Sequence, residues 1–289
     1  MFSYRHGFHA GNHADVLKHI TLLSCLKLLH KKETPLMLVD THAGAGLYDL
    51  QDRFAQTSLE ANEGILQLAK NPSLFTANAD INDYFQLILG LQSSPSIHIY
   101  PGSPYLLWQS MRVLDKLRLM ELHPSDFPVL KENMEQLKTK RQDIKLDMVD
   151  GFAMLKAYLP PPSRRGLVLI DPSYEDKGDY RAVLNTLEAA IARFATGIYC
   201  IWYPVLTRLD AKEFPNRLKK LCQELNLSWL KAELRIKPVI EDGLSASGMW
   251  IINPPWQLEE SLENSLPLLQ TLLQVNASGS YLIETNTNT

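Results

Sequence analysis

The sequence predicts an α/β fold built on a parallel sheet with helices on both faces. Short apolar runs that end in an acidic residue recur along the chain, at Asp40, Glu121, Asp150 and Asp171, and each belongs to a repeat of strand, acid and helix. That repeat is typical of parallel strands joined by right-handed helical crossovers. The 289 residues are 45% hydrophobic and 21% charged. The composition is typical of a globular protein, and the length suits one large α/β domain or two small ones. We expect a single domain over residues 1–289.

Composition limits the classes of function. Three cysteines, Cys25, Cys200 and Cys222, lie far apart among apolar residues, so we expect buried thiols in a reducing compartment. No apolar run approaches the roughly 18 residues of a membrane span, and the first residues lack the apolar core of a signal peptide. We expect a cytoplasmic monomer that does not bind membranes. Because the net charge is −3, a nucleic-acid partner must be bound by a local patch.

The first twelve residues predict an N-terminal arm ahead of a helix. Half of the eight histidines lie between Tyr4 and His19, and Asn12 is a suitable cap for a helix from His13 to about Lys32. A zinc site is disfavoured because no cysteine accompanies the histidines and their spacing fits no standard ligand pattern, so we expect no metal. A solvated arm is one alternative. We favour an arm that folds over a site and contacts an anionic substrate.

The first predicted strand, 37–40, ends at Asp40 and runs into a turn of small residues, 41–46. Such a turn lets a ligand approach the backbone closely, although an ordinary strand-to-helix turn has the same composition. Glu121 follows a later strand, where doubly wound folds place the carboxylate that binds ribose hydroxyls. The long separation between the two strands predicts a helical insertion at about 51–96.

The strand 167–170 is followed by Asp171, Pro172, Ser173 and Tyr174. Ligands bind beyond the carboxyl ends of strands in open α/β sheets, so a carboxylate, a carbonyl and a ring are predicted at a ligand site. Asp171 can accept hydrogen bonds from an amino group, and Tyr174 can stack on a planar base. The row of acids suits a cationic nucleoside such as S-adenosylmethionine better than it suits a pyrophosphate.

Several blocks together carry a family resemblance. They are 4–6, 11–19, 40–46, 100–104, 121–125 and 170–175, with Asn253-Pro254-Pro255-Trp256 near the end. In these blocks the chain resembles the RlmJ family, the bacterial 23S ribosomal RNA adenine-N6 methyltransferases. The resemblance implies a Rossmann-like S-adenosylmethionine-dependent methyltransferase sheet with a helical insertion, and 23S ribosomal RNA as the partner.

The resemblance also implies roles for individual residues. S-adenosylmethionine, the methyl donor, would be contacted by His19, His42, Ser103, Glu121, Asp150, Gly151 and Asp171. Asp171, Pro172 and Tyr174 would be the catalytic residues, and Tyr4, His6, Lys18 and Tyr174 would bind the substrate. We also expect Arg164 and Arg165 to contact phosphate near the site. A DNA adenine-N6 methyltransferase and a non-catalytic nucleotide- or RNA-binding protein of the same fold are the alternatives.

Two turns compete for the catalytic position. Amino-methyltransferases of this kind carry an acid or amide, two prolines and an aromatic residue, and this chain has Ser173 in place of the second proline. A proline there would keep Pro172 out of the helical region and its carbonyl aimed at the amine. Asn253-Pro254-Pro255-Trp256 matches the pattern better. It follows the wrong strand in the series, so we expect a stiff structural turn with Trp256 in the core.

Overall fold

The computed structural model describes residues 5–72, 77–137, 143–239 and 243–286. The helices are α1 (His13–Leu29), α2 (Arg53–Ser58), α3 (Ile65–Ala69), α4 (Ala79–Leu89), α5 (Ser103–Ser110), α6 (Asp126–Leu137), α7 (Gly151–Tyr158), α8 (Asp179–Arg193), α9 (Leu209–Glu224) and α10 (Leu258–Leu273). The strands are β1 (Met37–Asp40), β2 (Leu47–Asp49), β3 (Ile99–Pro101), β4 (Lys116–Met120), β5 (Asp143–Asp147), β6 (Gly166–Ile170), β7 (Ile198–Pro204), β8 (Trp229–Arg235), β9 (Ala246–Ile252) and β10 (Ser280–Thr285).

One mixed sheet organises the described chain, in the order β10-β8-β9-β7-β6-β1-β4-β5. The neighbouring strands β7, β6, β1, β4 and β5 are parallel to one another. Strand β9 pairs antiparallel with β7, β8 with β9, and β10 with β8. β2 and β3 form a separate antiparallel pair. The predicted Rossmann-like α/β class is therefore confirmed, with an antiparallel extension that the repeat of strand, acid and helix did not indicate.

Helices cover both faces of the sheet. The cluster on one face includes Leu17 of α1, Leu106 of α5 and Leu262 of α10. The cluster on the other face includes Leu155 of α7 and Phe214 of α9. Strands between two helical layers are buried on both sides, which explains why β6 is an uninterrupted apolar run. The three cysteines are buried as free thiols, as predicted.

The helix α1 begins where the sequence predicts, because the Asn12 side chain accepts a hydrogen bond from the Asp15 N–H (2.9 Å). Helices α2 to α4 lie between β2 and β3, within the predicted insertion. Residues 280–285 form β10 on the edge of the sheet beside β8. In the ranges that the structure describes, no helix has the length and apolar character needed to cross a membrane.

Candidate active site

The direction in which successive strands are added to the sheet reverses between the parallel neighbours β1 and β6. From β1 the sheet continues through β4 to β5, and from β6 it continues to β7. In open parallel sheets this switch point leaves a crevice at the carboxyl ends of the strands. A cavity of about 420 Å³ lies there. Its described lining includes Lys18, His42, Ser103, Glu121, Asp150, Gly151, Asp171 and Pro172.

The turn after β1 is fixed by hydrogen bonds from its backbone. Gly44 has φ of +61°, and its N–H donates to Glu121 Oε2 at 2.6 Å. The next amide, of Ala45, donates to the Tyr48 hydroxyl at 3.0 Å. A Cβ on Gly44 would lie 2.2 Å from that hydroxyl, so glycine is required by both space and φ. Burial raises the pKa of Glu121, whose Oε1 also accepts from the His123 N–H (2.6 Å).

Asp40 lies beneath this turn and is fully buried. The Ser103 hydroxyl donates to Asp40 Oδ2 at 2.6 Å, and the His42 N–H donates to Oδ1 at 3.2 Å. Burial raises the pKa of Asp40 to about 7. Burial also lowers the pKa of the neighbouring His42 to about 4, so this ring is neutral at pH 7. Ser103 and Asp40 thus tie helix α5 to the tip of β1.

The acid after β5 caps a helix. Asp150 Oδ1 accepts from the N–H groups of Phe152 (2.8 Å) and Ala153 (3.4 Å) at the start of α7. The next residue, Gly151, packs against β1 so closely that a Cβ there would lie 2.0 Å from the Thr41 carbonyl oxygen. Asp150 and Gly151 therefore bring the start of α7 to the wall of the cavity.

A buried ion network joins α1 to the catalytic turn predicted after β6. Lys18 Nζ lies 2.6 Å from Asp171 Oδ2 and 2.7 Å from Asp15 Oδ1. Burial alone would lower the pKa of Lys18, but the two carboxylates raise it above its ordinary value. Burial opposes ionisation of Asp15, yet His6 and Lys18 hold its pKa well below the ordinary range. Lys18 is therefore a permanent ammonium at physiological pH.

The N-terminal arm lies against this network. His6 Nε2 is 3.0 Å from Asp15 Oδ2, and the Gly11 N–H donates to the same oxygen at 3.0 Å. Arg5 Nη1 lies 3.2 Å from Asp126 Oδ1. The insertion supports the arm, because the Ile65 N–H donates to the Gly11 carbonyl at 2.8 Å. His6 lines the cavity, and Tyr4 is outside the described residues.

A second cavity of about 240 Å³ adjoins the first and shares His6, Lys18, Asp171, Ser173 and Glu175 with it. Its other described walls come from the arm, the start of α1, the insertion, the turn at Tyr174, the end of β7 with the residues after it, and the residues before β9. They are His9, Asn12, Ala14, Asp15, Glu60, Tyr174, Trp202, Pro204, Leu206, Gly243 and Leu244. Asp171 and Lys18 thus lie between two cavities, one at the switch point and one under the arm.

Tyr174 is buried deeply, with 2% of its surface exposed. Its hydroxyl donates to the Trp202 carbonyl at 2.8 Å, and its ring packs against Tyr180, with centroids 4.6 Å apart. It reaches the second cavity beside Trp202. Burial holds the pKa of Tyr174 well above its ordinary value, so the hydroxyl stays protonated.

Predictions about one histidine and two arginines differ from the structure. His19 lines neither cavity; it is fully buried, and its Nδ1 lies 3.0 Å from the Tyr100 hydroxyl. The expectation that Arg164 and Arg165 lie near the site is wrong. They precede β6, at the edge where the parallel strands begin, and Arg165 Nη2 donates to the Leu29 carbonyl at 2.8 Å.

The turn at Asn253 lies at that same distant edge. Strand β9 is antiparallel to β7 and pairs Ile252 with Tyr199, near the start of β7. Asn253 Nδ2 donates to the carbonyls of Ala195 and Gly197, both at 2.8 Å. The expected burial of Trp256 is wrong, because 85% of its surface is exposed. No helix or strand covers this end of the turn in the described structure, so the ring projects from the surface.

Sequence reasoning missed three residues that shape the site. Asp15 is the buried centre of the ion network. The Tyr48 hydroxyl accepts a hydrogen bond from the Ala45 N–H in the turn after β1, and Asp179 accepts one from the Tyr174 N–H in the turn after β6. The signal for Asp15 was present, since it lies one helical turn before Lys18 on α1. Tyr48 and Asp179 had no such signal, because a loop partner depends on the folded path of the backbone.

A doubly wound sheet with a glycine turn and an acid-proline turn at its switch point is typical of α/β enzymes that bind a ligand beyond the carboxyl ends of their strands. The model of a family described as ribosomal RNA large subunit methyltransferase D, RlmJ, matches residues 33–287. The chain belongs to this RlmJ family, which confirms the predicted family.

Individual proteins agree with this assignment. The chain is 41% identical over 284 residues to ribosomal RNA large subunit methyltransferase J of Escherichia coli K12, covering 96% of each. It is 42% identical over 287 residues to the protein of that name from Haemophilus influenzae, covering 98% of each. The crystal structure of a protein from Legionella pneumophila has a TM-score of 0.86 at 35% identity, covering 96% of this chain and 98% of that one.

Proposed function

We propose that this protein transfers a methyl group from S-adenosylmethionine to the N6 amine of a specific adenine in 23S ribosomal RNA. The arrangement of the two cavities carries the proposal. A methyl transfer needs a donor and an acceptor that meet at one point, and the two cavities adjoin at Asp171 and Lys18. The printed name of the relatives, ribosomal RNA large subunit methyltransferase J, supports ribosomal RNA as the substrate.

The first cavity fits S-adenosylmethionine, which supplies a methyl group on a positively charged sulfur. Its volume of about 420 Å³ is in the range of small-molecule sites. Among the described lining residues, carboxylates outnumber lysines by seven to one, which suits a cation. The seven are Glu121, Asp126, Asp150, Asp171, Glu175, Asp176 and Asp179, and the lysine is Lys18. We assign His42, Ser103, Glu121, Asp150, Gly151 and Asp171 to this ligand, and leave His19 out because it lines neither cavity.

The second cavity suits the target base. Tyr174 and Trp202 bring aromatic surface to it, and Asn12, Glu60 and Asp15 bring polar groups. An adenine must leave its helix or loop to reach such a pocket, and aromatic stacking holds a base after it has been extruded. We assign Tyr174, Lys18 and His6 to the base and its flanking nucleotide. Tyr4 keeps the same assignment from its position in the arm.

The amine is a weak nucleophile because its lone pair is delocalised into the ring. Lys18 binds Asp171 Oδ2, so we assign Asp171 Oδ1 and the Pro172 carbonyl as the two acceptors of the amine N–H groups. Two acceptors at these positions favour a pyramidal nitrogen and aim its lone pair towards the first cavity. The Lys18 ammonium keeps this carboxylate oriented and, through Asp15, ties it to the arm.

We propose that the protein acts as a monomer. Because the proposed substrate is bacterial ribosomal RNA, we infer that the protein works in the cytoplasm. We propose no metal requirement, since the chemistry assigned to Asp171, Pro172 and Lys18 uses none.

The test compares RNA with DNA. The protein is incubated with S-adenosylmethionine and an unmethylated 23S ribosomal RNA transcript, or with single-stranded DNA of the same sequence. We expect N6-methyladenosine at one position of the RNA, detected by mass spectrometry after nuclease digestion, and none in the DNA. Methylation of the DNA alone would support the DNA methyltransferase alternative. Calorimetric binding of S-adenosylmethionine with no methyl transfer would support the non-catalytic alternative.

A further inference from the structure

Tyr174 has a left-handed backbone conformation, with φ of +54°. This region is unfavourable for a residue with a bulky side chain, so other contacts must hold it. Its N–H donates to Asp179 Oδ2 at 3.1 Å, its carbonyl accepts from Arg208 Nη2 at 2.9 Å, and its hydroxyl donates to the Trp202 carbonyl. Every polar group of Tyr174 is therefore bonded. We name these three contacts the Tyr174 clamp.

The three partners of Tyr174 in the clamp lie in, or directly before, three different secondary-structure elements. Asp179 begins α8, Arg208 is the cap residue before α9, and Trp202 belongs to β7. The Arg208 side chain is itself fixed, because Nε lies 3.1 Å from Asp210 Oδ1 and the guanidinium lies over the Tyr180 ring, 5.3 Å from its centroid. The end of the catalytic turn is therefore attached to the body of the fold.

The other end of the turn is also fixed, since Asp171 follows β6, which pairs with β1 and β7. Two residues, Pro172 and Ser173, lie between the fixed ends. The ring of Pro172 sets its own φ. A proline at 173 would also limit the ψ of Pro172, but serine imposes no such limit. The aim of the Pro172 carbonyl therefore depends on where the clamp holds Tyr174.

We propose that Arg208 is a positioning residue for the methyl transfer, and that it supplies through Tyr174 the restraint that Ser173 does not. This inference rests on the proposed function. Arg208 lines neither cavity, so its effect is on the geometry of the turn and not on ligand contact. It differs in this from Asp179, which lines the first cavity.

The first test replaces Arg208 with glutamine, which removes the guanidinium and its hydrogen bond to the Tyr174 carbonyl. We expect kcat to fall about tenfold, because small misplacements of reacting groups have effects of this order or larger. KM for S-adenosylmethionine and for the RNA should stay within about twofold, since Arg208 contacts neither cavity. Arg217→Gln, at an exposed arginine within α9, is the matched control and should behave as the wild type.

The second test is rescue by proline. Ser173→Pro restores the local limit on Pro172, so Arg208→Gln should lower kcat by less than about threefold when it is introduced into the Ser173→Pro variant. The reference for this comparison is the Ser173→Pro variant itself. A purely structural role of Arg208 would not be corrected by a proline 35 positions away in sequence. Activity of Arg208→Gln equal to the control, no rescue, or an inactive Ser173→Pro variant would each overturn the proposal.

A third measurement does not depend on the RNA substrate. The clamp predicts that the amide of Tyr174 exchanges its hydrogen more slowly in the wild type than in Arg208→Gln, with the control equal to the wild type. Mass spectrometry of peptides that span 171–175 reads this rate. A wild-type protein that methylates no RNA would contradict the proposed function, whereas equal exchange in Arg208→Gln and Arg217→Gln would overturn the role of Arg208.

Discussion

The turns at Asp171 and Asn253 follow almost the same sequence pattern, an acid or amide, proline and then an aromatic residue, but they lie at opposite edges of the sheet. The first follows a parallel strand, β6, and the second follows an antiparallel strand, β9. Tyr174 is 2% exposed among aromatic rings, and Trp256 is 85% exposed. The direction of the preceding strand therefore decides which turn reaches the ligand crevice, and a better local match to the motif does not.

The largest expected effect separates the two turns directly. Asp171→Ala removes the carboxylate assigned to the amine, so the rate of methyl transfer should fall by about 10²–10³ or more. Asn253→Ala removes two hydrogen bonds to backbone carbonyls at the far edge, so its rate should stay within about twofold. Single-turnover assays on the RNA transcript measure both. Loss of activity in Asn253→Ala alone would transfer the catalytic role to the second turn.

The next effect concerns stability, because the first turn is part of a buried ion network. Lys18→Met leaves the buried Asp15 without its ammonium partner, and such a loss costs about 3–5 kcal/mol of the free energy of unfolding. Urea unfolding followed by circular dichroism measures it. Lys212→Met, at an exposed lysine on α9, is the control and should change the free energy by less than about 0.5 kcal/mol. Equal stability of the two variants would contradict the network.

The free energy of unfolding should depend on pH through Asp40, the acidic residue at the end of β1. Burial raises the pKa of Asp40 to about 7 from the ordinary value of 3.8. The folded protein then binds this proton more tightly than the unfolded chain, so the contribution of Asp40 to stability falls as the pH rises from about 4 to 7. Asp40→Asn removes this contribution. Urea unfolding of both proteins between about pH 5 and 8 should give profiles that diverge, and parallel profiles would refute the assignment.

The smallest effects come from the two aromatic residues. Tyr174→Phe loses the hydrogen bond to Trp202, which should lower the free energy of unfolding by about 1 kcal/mol. Trp256→Ala removes an exposed ring and should change it by less than about 0.5 kcal/mol. Thermal unfolding ranks the two variants. A larger loss for Trp256→Ala would mean that its ring is covered in solution.

Much of the fold followed from local patterns, because parallel strands between two helical layers are apolar throughout. The runs at 37–40 and 167–170 therefore indicated β1 and β6. The burial of Trp256 and the position of Arg165 could not be predicted in this way, because both depend on which edge of the sheet a turn reaches. The network around Asp15 is likewise a property of tertiary packing, since Lys18 and Asp171 are 153 positions apart.

The central position of β1 has a consequence for synthesis of the protein. Met37 pairs with Lys116 of β4 on one side and with Gly166 of β6 on the other. Translation therefore completes β1 long before either neighbour leaves the ribosome, and its apolar residues have no sheet partner during that time. Until β6 emerges, at least one edge of β1 has no partner, and an open edge is prone to misassembly, so we expect co-translational folding of this domain to begin late.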